Sequence, residues 1–360
     1  MIPVTKPFLP PLATYQAYIE RVWQRNWLTN NGPLVSELEM SLKEELGVDH
    51  ILFMSNGTIA IQIAIKALGL SGEIITTPFS YVATTSSIVW EGCTPVFVDI
   101  DEQSLNIDPT QIEAAITERT SAILATHVYG NPCEVEAIQK IADRHGLRVI
   151  YDAAHCFGTT YDDRSVLTYG DVSTISFHAT KLFHTTEGGA VVTKEPNLLQ
   201  RMAYMRGFGH DGPDKYNGVG INGKNSELHA AMGLCNLPFA KEIIAKRKSD
   251  HARYDYWFSG KGLRKPVVTA KATSNCAYYP VIFPTEEQCV RVFEKLKGHQ
   301  VFARRYFYPS LSELDYVKAQ PVPVTTDIAA RVLCLPLYYQ ITEEEIDLVC
   351  RLVLRFMNYG

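Results

Sequence analysis

The sequence predicts an α/β fold built on a doubly wound, mostly parallel sheet with helices on both faces. Seven short runs are continuous in Val, Ile, Thr and Phe, as in strands that are covered on both sides. Helical patterns separate most of these runs, which is the βαβ order of a parallel sheet. The 360 residues are enough for this sheet and for a second, smaller domain.

The predicted elements of the sheet follow one another from residue 50 to residue 194. The strand candidates are residues 50–56, 73–79, 94–100, 121–129, 148–154, 172–178 and 188–194. Helices are predicted after the first four strands, at 57–69, near 84–92, at 109–117 and at 134–146. Asp108-Pro109 marks a helix start and Gly146 a helix end, because proline favours the first turn and glycine the position after the last.

The last third of the chain has a different pattern. Residues 226–258 are amphipathic, and we expect two helices broken near Pro238, because an interior proline removes a hydrogen bond. Two strand candidates and two helices follow, at residues 275–283, 331–338, 286–298 and 342–358. The sequence therefore predicts a large domain over 1–238 and a small α+β domain over 239–360.

The composition excludes several classes of protein. With 46% hydrophobic and 20% charged residues, the chain is too apolar to be disordered. Its 34 basic and 39 acidic residues give a net charge of −5 without a basic excess, so we expect no nucleic-acid partner. No apolar run reaches the roughly 18 residues that span a bilayer, and the first residues resemble neither a signal nor a transit peptide. We therefore expect a cytoplasmic protein with no membrane partner.

The eight cysteines are dispersed along the chain. They form no CxxC pair and no metal-like spacing with histidine, and they lie mostly in apolar surroundings. We predict reduced, buried thiols and no metal site.

Two glycine patterns, 207–212 and 218–223, match G-x-G-x-x-G. A dinucleotide-binding loop has to follow a buried strand and begin a helix. The first pattern instead follows a predicted helix at 197–206, and the second lies in a polar loop before residue 226. We interpret the region as a flexible, glycine-rich excursion.

Three segments could carry chemistry. The first is FMSNGTIAIQIAIKALG, where a strand ends and a helix begins at Gly57 and Thr58. Free backbone amides and a hydroxyl at a helix start can hold a phosphate. The alternative is that Asn56 and Thr58 only cap the helix.

The second segment is YDAAHCFG, which places Asp152 and His155 at the carboxyl end of a predicted strand. Open α/β sheets bind their ligands at that edge, and a buried carboxylate there requires a cation. The alternative is a structural aspartate that caps the next helix.

The third segment is SFHATKLFHTTEGGA, in which Lys181 follows an apolar strand and Ser176 lies five residues before it. A lysine in a partly apolar pocket becomes a nucleophilic amine. A surface lysine whose stem alone is buried is the alternative.

One cofactor explains all of these residues together. Pyridoxal phosphate (PLP) needs an anion site for its phosphate, a carboxylate for its ring nitrogen, an aromatic side chain against its ring and a lysine for its aldehyde. Gly57-Thr58, Asp152, Tyr81 and Lys181 supply these four functions.

Seven segments in chain order carry a family resemblance: NGTIAIQIAI, TTPFSYVATTSSI, PVFVDID, HVYGNP, YDAAHCFG, SFHATK and EGGAVV. They resemble the DegT/StrS-type sugar aminotransferase family, and the likeness covers nearly the whole chain. The resemblance implies fold type I of the PLP-dependent transferases and a homodimer with shared active sites.

The resemblance also implies site residues. Lys181 matches the lysine that binds PLP, Asp152 the partner of the ring nitrogen, and His155 a residue near the ring hydroxyl. The other cofactor-binding positions that it implies are Gly57, Thr58 and Ser176 at the phosphate, Tyr81 against the ring, and Asn222, which reaches the phosphate from the neighbouring subunit.

Two departures from the family pattern concern the substrate. The family often has arginine where this chain has Lys224, and LFHTTEGG places Phe183 and His184 near the expected sugar site. The candidate substrate residues are Phe183, His184, Lys224, Arg304, Arg305 and Tyr306. For Lys224 and the two arginines, pyrophosphate binding and simple solvation are both open.

The expected reaction follows from the same resemblance. L-glutamate would supply an amino group, through PLP and its amine form PMP, to C4 of a dTDP-4-keto-6-deoxyhexose for O-antigen or other glycan synthesis. Amination at C3 of a dTDP-3-keto-6-deoxyhexose and a PLP-binding protein without turnover are the alternatives.

Overall fold

The centre of the structure, a computed structural model that describes residues 1–358, is a seven-stranded sheet. The strands of the chain are β1 (His50–Met54), β2 (Glu73–Thr76), β3 (Thr94–Phe97), β4 (Thr120–Thr126), β5 (Arg148–Asp152), β6 (Thr160–Tyr161), β7 (Arg164–Ser165), β8 (Val172–Ser176), β9 (Gly189–Thr193), β10 (Ala272–Thr273), β11 (Tyr279–Ile282) and β12 (Val332–Leu335). The central sheet has the order β1-β9-β8-β5-β4-β2-β3. All seven predicted strands belong to it, and the predicted α/β class is confirmed.

Six strands of the sheet run in one direction and β9 runs against both of its neighbours. The carboxyl ends of the six parallel strands therefore meet at one edge. Asp152 ends β5 and Ser176 ends β8, so both side chains lie at this edge.

Helices cover the two faces of the sheet. The helices of the chain are α1 (Leu12–Arg25), α2 (Pro33–Leu46), α3 (Gly57–Ala67), α4 (Val82–Trp90), α5 (Pro109–Ile112), α6 (Val135–His145), α7 (Pro196–Arg206), α8 (Glu227–Asn236), α9 (Ala240–Phe258), α10 (Glu286–Gly298), α11 (Pro323–Arg331) and α12 (Glu343–Asn358). Along β4, Ile123 packs with the core that contains α2, α6 and α8, whereas Leu124 packs with the core that contains α3 and α7. Successive residues of a strand point to opposite faces, so both faces are apolar and the strand is a continuous apolar run.

Local capping explains where two predicted helices begin. Asn56 accepts a hydrogen bond from the Ile59 amide at 2.8 Å and caps α3. Asp108 accepts one from the Thr110 amide at 3.0 Å and caps α5, with proline in the first turn as predicted.

The break near Pro238 is confirmed. α8 ends at Asn236, a short 3-10 turn spans residues 237–239, and α9 begins at Ala240. β11 and β12 form an antiparallel pair with α10 and α12 around it, and a separate apolar cluster lies between them. Ile2 joins this cluster, because its backbone pairs with that of Val301. Ile2 and α12 therefore belong to one apolar cluster.

Three helices and one small sheet lie outside the predicted elements. These are the helices α1, α2 and α11 and a three-stranded sheet with the strand order β10-β6-β7. The first turn of α2 depends on a distant residue, since Glu227 of α8 accepts the amides of Leu34 and Val35 at 2.8 and 2.9 Å. Such a cap leaves no signal in the local sequence.

Two further properties concern the whole described chain. Over residues 1–358, no helix combines the length and apolarity that crossing a membrane requires. The eight cysteines are buried and unpaired, as predicted for the thiols.

Candidate active site

A cavity of about 290 Å³ opens at the carboxyl edge of the central sheet. Its walls come from the start of α3, the ends of β4, β5 and β8, the loop between β8 and β9, and residues 304–307. Seven predicted cofactor residues line it together: Gly57, Thr58, Tyr81, Asp152, His155, Ser176 and Lys181. These residues span more than 120 positions of the sequence, and the topology of the sheet brings them to one place.

The floor of the cavity contains the start of α3. The first amides of a helix, here those of Gly57 and Thr58, have no partner within the helix. A Cβ atom on Gly57 would lie 3.1 Å from the Ser176 side chain, so glycine lets the helix start approach the end of β8 closely. Free amides, the Thr58 hydroxyl and the Ser176 hydroxyl are groups that can donate hydrogen bonds to a phosphate.

Asp152 is a buried carboxylate that faces the cavity. Its Oδ2 accepts from the Thr84 hydroxyl at 2.7 Å and its Oδ1 from the Ala154 amide at 3.1 Å. Burial raises the pKa of Asp152 above its usual value, while these hydrogen bonds and the positive charge of Lys181 oppose the rise. A carboxylate in this position is stabilised by a cationic ligand in the cavity.

His155 is buried beside Asp152 and carries an unsatisfied polar atom. Its Nδ1 has no hydrogen-bond partner within residues 1–358. The ring packs 4.7 Å from the Tyr278 ring and parallel to the Phe307 ring. Burial, with the charges of Lys181 and Arg304, holds the pKa of His155 well below its usual value, so the imidazole is neutral and free to hydrogen-bond a ligand.

Lys181 lies half-buried in the loop between β8 and β9. Its amide donates to the His178 carbonyl at 2.8 Å, and the Ala179 amide donates to the Thr186 carbonyl at 2.7 Å. The backbone on both sides of the loop therefore holds the lysine at the cavity, where its charge acts on Asp152 and His155.

The aromatic wall of the cavity consists of Tyr81 and Tyr306, whose ring centroids lie 6.3 Å apart. Tyr81 immediately precedes α4 and its side chain is 49% exposed, so one face of the ring is open to a ligand. The Arg304 guanidinium lies 4.4 Å from the centroid of the Tyr306 ring and also lines the cavity. The cavity thus combines an anion site, a buried carboxylate, an open aromatic ring and a lysine.

Residues 13–354 match the DegT/DnrJ/EryC1/StrS aminotransferase family. The chain belongs to this aminotransferase family. It is 42% identical over 353 residues to a dTDP-4-amino-4,6-dideoxy-D-glucose transaminase from Shigella dysenteriae, covering 96% of each chain. It is 41% identical over 363 residues to an Escherichia coli protein of the same name, covering 98% of each chain.

Two solved structures are similar to nearly the whole of this chain. DesI, crystallised in the presence of its TDP-sugar product, matches with a TM-score of 0.93 and 37% identity, covering 99% of this chain and 93% of that one. Helicobacter pylori PseC, an aminotransferase of pseudoaminic acid biosynthesis, matches with a TM-score of 0.91 and 28% identity, covering 100% of both chains. The predicted PLP-transferase fold is thus shared with sugar aminotransferases.

Within this member of the aminotransferase family, two predicted substrate residues lie outside the cavity. Phe183 stacks on Phe157 at 4.5 Å, and the side chain is 2% exposed. The His184 Nε2 lies 2.7 Å from the Phe8 carbonyl oxygen, and His184 is buried too. The structure therefore places neither side chain at the cavity, because the loop after Lys181 turns both of them into the core.

The side chains of the two neighbouring arginines, Arg304 and Arg305, lie in different places. Arg304 faces the cavity, whereas Arg305 donates to the Ala330 carbonyl at 2.8 Å, pairs with Glu286 at 3.6 Å and stacks on the Tyr308 ring. Arg305 thus has its own partners outside the cavity, and the structure does not bring it to the candidate site.

Asn222 and Lys224 lie in the glycine-rich segment and do not line the cavity of their own chain. The backbone of Asn222 pairs with that of Gly207, and the Lys224 ammonium lies 4.7 Å from the centroid of the Phe208 ring. A role for either residue at the cofactor therefore requires a second copy of the chain, and both remain predictions.

Sequence reasoning missed several residues that line the cavity or support it. His178 and Glu187 line it with their side chains 3.5 Å apart. His178 lies three residues before Lys181, and this proximity in sequence could have indicated that His178 lines the same cavity. The hydroxyls of Ser80, Thr84 and Thr126 near Asp152 gave no signal, because three scattered hydroxyl residues form no motif.

Proposed function

We propose that this aminotransferase uses PLP to move the amino group of L-glutamate to C4 of a dTDP-4-keto-6-deoxyhexose. The product would be a dTDP-4-amino-4,6-dideoxy sugar, a building block for O-antigen or another glycan. The meeting of Lys181, Asp152 and the start of α3 in one cavity carries the proposal. The 42% identity to a transaminase named for dTDP-4-amino-4,6-dideoxy-D-glucose supports the choice of sugar.

The residues of the cavity fit PLP group by group. The amides of Gly57 and Thr58, with Ser176, suit a phosphate. Asp152 suits a protonated ring nitrogen, and the unpartnered Nδ1 of His155 suits the ring hydroxyl. When bound, PLP would supply an electron sink for negative charge on the carbon that exchanges the amino group.

Lys181 has two tasks in this proposal. Its amine would hold the aldehyde of the cofactor, and it would be free while the amino donor is bound. As a free amine near the reacting carbons, Lys181 Nζ then removes the proton from Cα of glutamate and later delivers a proton to C4 of the sugar. Backbone hydrogen bonds on both sides of the loop hold Lys181 at the cavity, which supports both tasks.

Arg304 is the proposed contact for the sugar-nucleotide pyrophosphate. Its guanidinium lies at the cavity wall on the Tyr306 ring, which orients it without neutralising its charge. A guanidinium binds a phosphate oxygen pair through parallel hydrogen bonds. Tyr306 accordingly stays in the proposal as the support of Arg304, and Lys224 as a second cation supplied by a partner chain.

The segment 207–223 supports a homodimer with shared sites. Its backbone forms a hairpin-like excursion, with bridges between Gly207 and Asn222 and between His210 and Tyr216. Four large apolar side chains of the segment are exposed, namely Phe208, Tyr216, Val219 and Ile221. An exposed apolar arm of this kind is stabilised when it packs on another surface. We propose that the arm brings Asn222 to the phosphate of the partner's cofactor.

We also propose the division into domains 1–238 and 239–360. Separate apolar clusters around the central sheet and around β11 and β12 support it, with Ile2 packing on the second. Tyr359 and Gly360 lie outside the described residues.

The buried, unpaired cysteines support a reducing compartment, and hence the cytoplasm.

The decisive experiment offers the PLP-loaded enzyme L-glutamate with either dTDP-4-keto-6-deoxyglucose or a dTDP-3-keto-6-deoxyhexose. The amine product is identified by NMR, and 2-oxoglutarate is measured in parallel. Amination at C4 is the expected result. Amination of the 3-keto sugar alone would establish the C3 alternative, and failure to form 2-oxoglutarate from any offered amino donor would favour a binding protein.

A further inference from the structure

Three buried hydroxyl side chains form a hydrogen-bonded chain that ends on Asp152. Thr126 Oγ1 lies 2.9 Å from Ser80 Oγ, Ser80 Oγ lies 2.7 Å from Thr84 Oγ1, and Thr84 Oγ1 donates to Asp152 Oδ2 at 2.7 Å. All four residues are buried, with at most 6% of any of them exposed. We call Thr126, Ser80 and Thr84 the hydroxyl chain.

The position of Asp152 fixes the direction of every hydrogen bond in the hydroxyl chain. An ionised carboxylate only accepts, so the Thr84 proton points to Asp152. Ser80 must then donate to Thr84, since the Thr84 hydroxyl has only one proton. By the same count, Thr126 donates to Ser80. All three hydroxyl dipoles are therefore aligned towards the carboxylate, and each polarises the next.

The fold places Thr126, the residue of the hydroxyl chain farthest from Asp152 along the hydrogen bonds, beside Asp152 on the neighbouring strand. Thr126 at the end of β4 is the register partner of Asp152 at the end of β5. Ser80 and Thr84 lie just before and within the first turn of α4, which follows β2. Residues of α4, β4 and β5 thus join in one hydrogen-bonded series that ends on Asp152 Oδ2, while Oδ1 is held by the Ala154 amide.

We propose that the hydroxyl chain is a positioning device that keeps Asp152 ionised and oriented, and so keeps the ring nitrogen of the cofactor protonated. This inference rests on the proposed function, because it needs PLP in the cavity. Thr84 is a positioning residue, since its hydroxyl acts through Asp152. Without it, the carboxylate would keep one protein donor, the Ala154 amide, while its burial would be unchanged.

The structure provides a matched pair of variants on one helix. Thr84→Val removes the hydroxyl that contacts Asp152 and keeps the shape of the side chain. Thr85→Val removes the neighbouring hydroxyl, which is equally buried and has no hydrogen-bond partner within residues 1–358. Thr84→Ser restores a hydroxyl at the first position. A merely structural effect of losing a buried hydroxyl would appear in both valine variants.

The test loads each variant with PLP that carries ¹⁵N in its ring and records the ¹⁵N resonance, whose position differs between a protonated and an unprotonated ring. PLP affinity is measured in parallel. For Thr84→Val we expect a resonance shifted towards the unprotonated ring and binding about tenfold weaker, the loss of one charge-assisted hydrogen bond. Thr85→Val should match the wild type, and Thr84→Ser should return towards it.

The outcomes separate the two proposals. A wild-type protein that does not bind PLP would overturn the proposed function. A wild-type protein with a protonated ring and a Thr84→Val variant with the same resonance would overturn the role of the hydroxyl chain alone. Should Thr84→Val not fold, Ser80→Ala interrupts the chain one step earlier, and we expect a smaller shift in the same direction. An unchanged resonance in that variant would also contradict the inference.

Discussion

Arg304 lies on the face of Tyr306, with its guanidinium carbon 4.4 Å from the ring centroid, at the wall of the candidate active site. The next residue, Arg305, is turned away and bonded to Ala330 and Glu286. Two adjacent arginines thus have different surroundings, which makes them a natural pair for testing substrate binding.

For Arg304→Ala we expect KM for the dTDP-keto sugar to rise about tenfold or more, because a charge-assisted contact to the pyrophosphate is lost. The KM for L-glutamate should change less. Arg305→Ala is the matched control, and its KM should stay near the wild-type value. Steady-state kinetics with each substrate varied in turn would check this, and equal effects of the two variants would contradict the assignment.

Lys181→Ala should abolish turnover, because no other amine takes its place at the reacting carbon. We expect a loss of at least a thousandfold in kcat, as for other groups that act directly as nucleophile or proton carrier. Lys297→Ala, on the exposed end of α10, is the control for losing a lysine. Turnover is measured by 2-oxoglutarate release, and substantial activity in Lys181→Ala would refute the catalytic role.

The proposed sharing of active sites between two subunits predicts complementation between inactive variants. Lys181→Ala and Asn222→Ala should each impair both sites of a homodimer. A mixed dimer, formed by refolding the two variants together, would have one site with both native residues, so activity should reappear at up to about a quarter of the wild-type value on random pairing. Activity no higher than the sum of the separate variants would show that Asn222 does not act across the interface.

Replacing Glu227, which lies away from the candidate active site, should lower the stability of the fold strongly. Its carboxylate is 1% exposed and accepts the amides of Leu34 and Val35. Glu227→Ala leaves two buried amides without a partner, so we expect a loss of about 3 kcal/mol or more in the free energy of unfolding. Glu37→Ala removes a half-exposed carboxylate of α2 that pairs with Arg21, and it should cost at most about 1 kcal/mol. Denaturant titration would compare the two.

The buried His127 should make the free energy of unfolding depend on pH. Burial lowers its pKa to about 3, and the ring stacks on Tyr151 at 4.5 Å. The unfolded chain takes up this proton near pH 6.5 and the folded chain does not, so the free energy of unfolding falls as pH is lowered from 6.5 towards 3. The contribution is about 1.4 kcal/mol per pH unit.

His127→Gln should therefore make the decrease between pH 6 and pH 5 shallower by about that amount. His299→Gln, at an exposed position, is the control. Urea unfolding at pH 5, 6 and 7 measures both slopes. An unchanged slope in His127→Gln would contradict the assignment of a buried neutral imidazole.

The sequence was sufficient for the features that repeat or that depend on local chemistry. Continuous apolar runs identified the seven strands, because both faces of the sheet are covered. The capping residues Asn56 and Asp108 and the interruption at Pro238 located helix ends, since each acts within a few residues. Chain order and strand ends then indicated which side chains would share a cavity.

The remaining features depend on contacts that are distant in sequence. The start of α2 is held by Glu227, which lies about two hundred residues further along the chain. Phe183 and His184 follow the lysine directly, yet core packing, not sequence proximity, decides where they point. The hydroxyl chain joins three elements through single atoms, and no spacing in the sequence records that arrangement.

The loop from β8 to β9 has a consequence for engineering substrate scope. Its lysine is presented to the cavity while Phe183 and His184 anchor the same loop in the core. Smaller side chains at Phe183 and His184 would weaken the packing that holds the loop of Lys181, and they would not enlarge the cavity, because neither residue lines it. Arg304, Tyr306 and Phe307 form the other wall. Libraries aimed at new sugars therefore belong there, with the length and the core residues of the lysine loop kept constant.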